Sequence, residues 1–215
     1  MATQWWHDGL RVTGFQWLQD TNYSQIDHVL CSAFVEKWQE ETSCFHLPFG
    51  EVTVTLDDVS CLLHLHNNCM ILSDRSTTRA EAIEMMIEHL GADPRDTLKE
   101  VTDKKGGHAR FSYLRIIFKE RLLEQLQAYN EYDMVFMRQL QEQALRIYFL
   151  YLLRITLFTS KSVHYVDVSY LKYFRDLELA AGYAWGAAAL SHLYMELSDA
   201  SHYNTNHLSG YLFLL

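Results

Sequence analysis

The sequence predicts a mainly α fold with one small β-hairpin, an α+β arrangement in a single helical domain, and three observations carry that prediction. Apolar residues recur at three- and four-residue steps along most of the chain. Only two prolines and nine glycines interrupt 215 residues. One stretch, residues 43–55, instead alternates apolar with polar residues around Pro48-Phe49-Gly50. With 49% hydrophobic and 21% charged residues, the chain can bury one sizeable core, so the expected domain spans residues 1–215.

The first helix read from the pattern covers roughly Ser24 to Gln39, with Val29, Leu30, Phe34, Val35 and Trp38 on its apolar face and Cys31 as a small core residue. Ser43 to Leu47 and Glu51 to Thr55 then form a hairpin, in which Pro48 sets φ and Gly50 permits a positive one. Thr55 suits an N-cap, Asp58 completes a capping box, and Val54 with Val59 forms a hydrophobic staple. The helix that follows is expected to bury Leu56, Val59, Leu62 and Leu63. Ala80, Ala82, Ile83, Met86, Ile87 and Leu90 make a helix that Gly91 stops, and a short helix follows at Pro94 to Val101.

Ser112 is the expected cap of a helix through Gln127, with a stripe at Leu114, Ile117, Phe118, Leu122 and Leu126. The longest helix runs from Glu131 to Phe158, with Glu142 and Arg146 paired on its exposed face. After the loop Thr159 to Ser162, Ser169 caps a helix through Ala180, and Gly182 separates it from a helix at Trp185 to Leu197. The small residues Gly186 to Ala189 would let another backbone come close. A last helix begins near Asn206 or His207 and is still apolar at Leu215, so the pattern reads as a domain cut short at its C-terminus.

The net charge of -9, from 18 basic and 27 acidic residues, disfavours a phosphate backbone as general partner. Lys104 to Arg110 is the best local exception, yet it lacks P-loop spacing and reads as a solvated loop. Four cysteines are too few to staple the chain, and the N-terminus lacks the pattern of a signal peptide, so reduced thiols inside a cell are expected. Ala144 to Phe158 is too short for a membrane span and carries Arg146 and Arg154. No membrane partner is expected.

Chemistry is sparse. Asp57 and Asp58 offer paired carboxylates, but first-turn positions explain them through the helix dipole. Cys61-x2-His64-x-His66-x2-Cys69 holds a zinc inventory, although a helix through His66 would point His64 and His66 about 200° apart. A closed site there needs the helix to break at His64. Arg175 and Asp176 could form an active-site pair or an ion pair or cap contact that fixes packing, and packing is the simpler reading. His202 and His207 read as solvated loop residues, and Tyr183 and Trp185 as core anchors. No hydrolase, zincin, dinucleotide or P-loop motif is present.

Four segments do carry a resemblance: Ser32 to Trp38, Phe45 to Val59, Arg110 to Leu114, and Tyr173 to Leu177 continuing through Tyr183 to Tyr194. Together they resemble the plant mobile domain, which occurs in MAINTENANCE OF MERISTEMS-like proteins, in plant transposable elements and in long-form homologues of a serine/threonine phosphatase. The resemblance covers about Gly14 to Leu215. It marks Phe45, His46, Pro48, Phe49, Gly50, Thr55, Asp58, Arg175, Asp176, Trp185 and Gly186 as signature residues of structural kind, and brings no catalytic, cofactor or metal residues.

It also implies a non-enzymatic nuclear interaction module acting in meristem maintenance, transposable-element silencing and genome stability beside a phosphatase-like partner. Its common label, aminotransferase-like, finds no phosphate cradle and no assignable Schiff-base lysine here. The sequence departs from the family at His66-Asn67-Asn68-Cys69, where a proline-containing turn is usual, and at its end, where the family continues. The rival expectation is a transposon-derived nucleic-acid-binding accessory protein using Lys99, Lys104, Lys105 and Arg110.

Overall fold

A computed structural model describes residues 4–21, 27–67, 70–73, 77–102, 107–159, 164–202, 209–210 and 212–214. Its elements are α1 (Gln4–Val12), α2 (His28–Lys37), β1 (Trp38–Gln39), β2 (Cys44–Leu47), β3 (Gly50–Val52), α3 (Leu56–Leu63), α4 (Arg79–Leu90) and α5 (Pro94–Thr102). They continue with β4 (His108–Arg110), α6 (Phe111–Asn130), α7 (Met134–Ile155), β5 (Tyr165–Asp167) and α8 (Trp185–Ser201), and 3-10 turns fill several links. The fold is mainly helical with small antiparallel strands, as the sequence predicts. Among the described residues no helix is long and apolar enough to cross a membrane. The chain divides into two compact units, the first being Met1–Gln16, Ser73–Arg154 and Ser162–Ala181, the second Trp17–Leu72, Ile155–Lys161 and Gly182–Leu215.

In the first unit α4 starts at a capping box between Thr78 and Glu81 and stops at Gly91, whose φ of 65° is the left-handed conformation a helix-ending glycine supplies. Met86 and Leu90 face a core shared with Val101, Leu114, Ile117, Ile147, Leu150 and Leu171. β4 and β5 pair antiparallel, Ala109 opposite Val166. Phe15, Phe149 and Phe174 form a second apolar centre, with Phe149 and Phe174 stacked at 5.2 Å. Gly9 lies so close to Leu145 that a side chain there would collide with it, which brings α1 tight against α7.

Several expectations here change. Ser112 does not cap α6: the cap position is Arg110, two residues earlier, where β4 pairing already holds the backbone extended. The α6 stripe is only half buried, for Leu114 and Ile117 are enclosed while Leu126 is 52% exposed. The helix expected from Glu131 to Phe158 is shorter at both ends, because Tyr132 turns left-handed and the Asp133 carboxylate accepts from Phe136 N–H to start α7. Arg146 is not on an exposed face but buried. After β5, Asp167 rather than Ser169 supplies the cap, and a 3-10 turn, Val168–Tyr173, replaces the expected α-helix to Ala180.

The second unit holds the hairpin. Phe45 pairs with Val52, His46 with Glu51 and Leu47 with Gly50, and β1 adds a third strand that the periodicity did not signal. Gly50 sits at φ 136°, which only glycine adopts readily. The capping box of Thr55 and Asp58 is formed, and both staple residues, Val54 and Val59, are buried. Leu56 and Leu62 are exposed instead of buried, because only the Val59 and Leu63 side of α3 faces a neighbour, α8. Asp27 caps α2, its carboxylate accepting from Val29 and Leu30 N–H, and Ser24, where the sequence reading begins the helix, lies outside the described residues. Val29 and Leu30 are exposed while Cys31 is buried, and burial raises its thiol pKa. The expected final helix falls mostly outside the described residues, and within them Leu212–Leu214 forms a 3-10 turn.

Candidate functional site

Phe45 is buried with its ring against Phe34 and Trp38. His46 Nε2 stands 2.9 Å from Glu51 Oε1 across the hairpin, and Pro48, Phe49 and Gly50 form its exposed tip. Asp58 accepts from the Thr55 hydroxyl at 2.7 Å and backbone N–H at 2.8 Å, which lowers its carboxyl pKa. Trp185 is buried, and a Cβ on Gly186 would collide with Asn67 Oδ1 and touch Val59, so a loop side chain, not a backbone, makes the close approach.

Arg175 and Asp176 lie in the first unit with exposed side chains. Asp176 accepts from Glu178 N–H within its own turn. The Arg175 carbonyl, together with that of Phe174, accepts from the buried guanidinium of Arg146, which also reaches Glu142 at 3.1 Å. Arg146 is thus the residue that organises this turn.

The helix break demanded by the Cys61–His66 cluster does occur, since His64 caps α3 in the left-handed conformation. Even so, among the described residues no three His, Cys, Asp or Glu side chains are grouped to hold a metal, and Cys69 lies outside them. Lys104, Lys105 and His207 also fall outside. Lys99 pairs with Asp96 at 3.1 Å. Arg110 makes a forked contact with the buried carboxylate of Glu100, which also accepts from Arg110 N–H. His202 is exposed beside Glu40.

What the sequence does not single out is a groove of about 760 Å³ on the α6–α7 hairpin. The two helices run antiparallel, tied by Gln141 to Gln125 at 3.0 Å and by Arg121 to Gln143. Leu114 and Ile147 form the buried floor, while Phe118, Tyr148 and Tyr151 supply aromatic walls. Phe111 meets Tyr151 edge-on at 5.2 Å, and Trp6 of α1 packs 4.5 Å from Tyr148. On its edge stand Arg115 and Lys119, both exposed.

Neither has a carboxylate partner among the described residues, although Arg121 pairs with Glu124 and Arg146 with Glu142 on the same two helices. The side chains lining the groove include no carboxylate, imidazole or thiol. The groove thus combines an apolar surface with two positive charges on its edge. The advance signals were the α6 stripe, of which Leu114, Phe118 and Leu122 line the groove, and the i,i+4 spacing of Arg115 and Lys119.

The family model described as plant mobile domain matches residues 14–215, running through both units. Among curated proteins of Arabidopsis thaliana, the chain is 33% identical to Protein MAIN-LIKE 1 over 94% of its own length and 37% of that protein's. It is 31% identical to Protein MAINTENANCE OF MERISTEMS over 94% of its length and 39% of that protein's. It is 32% identical to Serine/threonine-protein phosphatase 7 long form homolog over 90% of its length and 13% of that protein's. The chain thus spans less than two fifths of these relatives. No solved structure shows a significant match. Matched from residue 14 to its last residue, the chain belongs to the plant mobile domain family.

Proposed function

We propose that this chain is a non-enzymatic protein-interaction module that works in the nucleus, in meristem maintenance, transposable-element silencing and genome stability, beside a phosphatase-like partner. The observation that carries the binding role is the α6–α7 groove, which offers aromatic walls and two cations that have no carboxylate partner among the described residues. Within that setting, meristem maintenance and the phosphatase connection draw on the names of two relatives, and the nucleus, silencing and genome stability are what the family resemblance implies.

Affinity purification of the tagged chain from plant nuclei, read by mass spectrometry, tests this. Recovery of a phosphatase-like protein is the expected result, and exclusion of the chain from nuclei, or nuclear isolates without any such protein, would overturn it. The rival nucleic-acid reading loses part of its basis, because two of its four cations, Lys99 and Arg110, already contact carboxylates.

A further inference from the structure

We infer that the α6–α7 groove receives an amphipathic helix of about three turns whose apolar face fills the groove and whose flank carries carboxylates opposite Arg115 and Lys119. The inference rests on the interaction-module reading and names the chemistry of the partner segment. From Phe111 to Leu122 the groove follows α6 for eleven residue steps, about 16 Å at helical rise. A third helix laid along two antiparallel ones is the packing such a trough admits, with side chains as ridges between ridges.

Charge decides which helix. Arg115 and Lys119 are like charges at i,i+4, an arrangement that weakens a helix by repulsion. No described carboxylate relieves them, in a chain whose net charge is -9. A carboxylate pair on the incoming helix relieves that repulsion and becomes partly desolvated beside the aromatic wall, which strengthens the contact. Because the overall field of the chain repels a uniformly acidic partner, the complement is local: two carboxylates on an otherwise apolar or neutral segment.

The probe is a fluorescein-labelled twelve-residue helical peptide with leucines at i, i+4, i+7 and i+11 and two flanking glutamates, measured by anisotropy against the full chain in 50 mM salt. The comparison peptide carries lysines in place of the glutamates. The glutamate peptide is expected to bind at least tenfold tighter, with the preference shrinking in 500 mM salt. The double variant Arg115→Glu, Lys119→Glu reverses the preference, and Tyr151→Ala weakens both peptides by a similar factor while keeping their order. These three side chains are exposed, and circular dichroism melts of each variant check that it is folded.

Equal affinity for the two peptides, or affinities unchanged in the double variant, overturn the proposal. So does capture of phosphatidylserine vesicles in place of the peptide. If the double variant still recovers the same nuclear protein as the wild type, the groove assignment alone fails and the module reading stands.

Discussion

His89 shows how one side chain acquires its behaviour from its surroundings. It lies on α4 with its Nε2 buried and without a hydrogen-bond partner among the described residues, 3.8 Å from Glu88. Burial lowers its pKa, Glu88 opposes that, and the charges of Arg146 and Arg175 add to the lowering. With a folded pKa below the ordinary 6.5, the native chain binds this proton less readily than the unfolded one. The contribution to stability is therefore full above the ordinary value and is lost as pH falls from there through the folded pKa. His89→Leu should shrink the fall in melting temperature between pH 7.5 and pH 5.5. Equal falls in wild type and variant would remove His89 from the account. In sequence, His89 is one of eleven scattered histidines, and nothing local marks it, because its burial is set by elements far along the chain. Gly50 is the contrary case: its turn chemistry is written in Pro48-Phe49-Gly50, and the structure puts it at the positive φ that the turn requires.

Elements differ in the same way. Caps made by neighbours in sequence are legible, as with Thr55 and Asp58, and Thr78 with Glu81 carries the same signature. Serines mislead where an aspartate starts the turn, for Asp167 displaces Ser169 and Asp133 begins α7 after a left-handed Tyr132. Arg146 marks the limit. Its i,i+4 relation to Glu142 is visible in sequence and formed in the structure, yet its Nε and Nη2 also hold the carbonyls of Phe174 and Arg175, about thirty residues away. That contact anchors the irregular stretch after the Val168–Tyr173 turn onto α7. Arg146→Met leaves both carbonyls without this donor, at about 1–3 kcal/mol for each that stays buried. A loss of about 3 kcal/mol in urea unfolding is expected, and a loss under about 0.5 kcal/mol would mean water replaces the guanidinium. Lysine should not rescue it, since one ammonium cannot reproduce the fork.

At the scale of the whole molecule, net charge of -9 sets the general field, and some of the described cations that could oppose it are engaged with carboxylates, as Arg110 with Glu100 and Arg121 with Glu124 are. Duplex DNA in 150 mM salt should accordingly give no gel shift with the full chain at micromolar protein, and a shift that weakens steeply with salt would reinstate a phosphate-binding face. The sequence by itself determined the mainly helical class, the hairpin and its turn, the Thr55–Asp58 capped start and the family. Each of these rests on interactions within a few residues or on a pattern carried by the chain itself. Only the tertiary structure decided that Leu56, Leu62, Leu126, Val29 and Leu30 stay exposed, that Arg146 is enclosed, and that α6 and α7 leave a groove between Tyr151 and the Arg115–Lys119 pair. An apolar stripe states what a helix can bury, but whether it is buried depends on which distant element arrives opposite it, and that is a property of long-range packing rather than of local spacing.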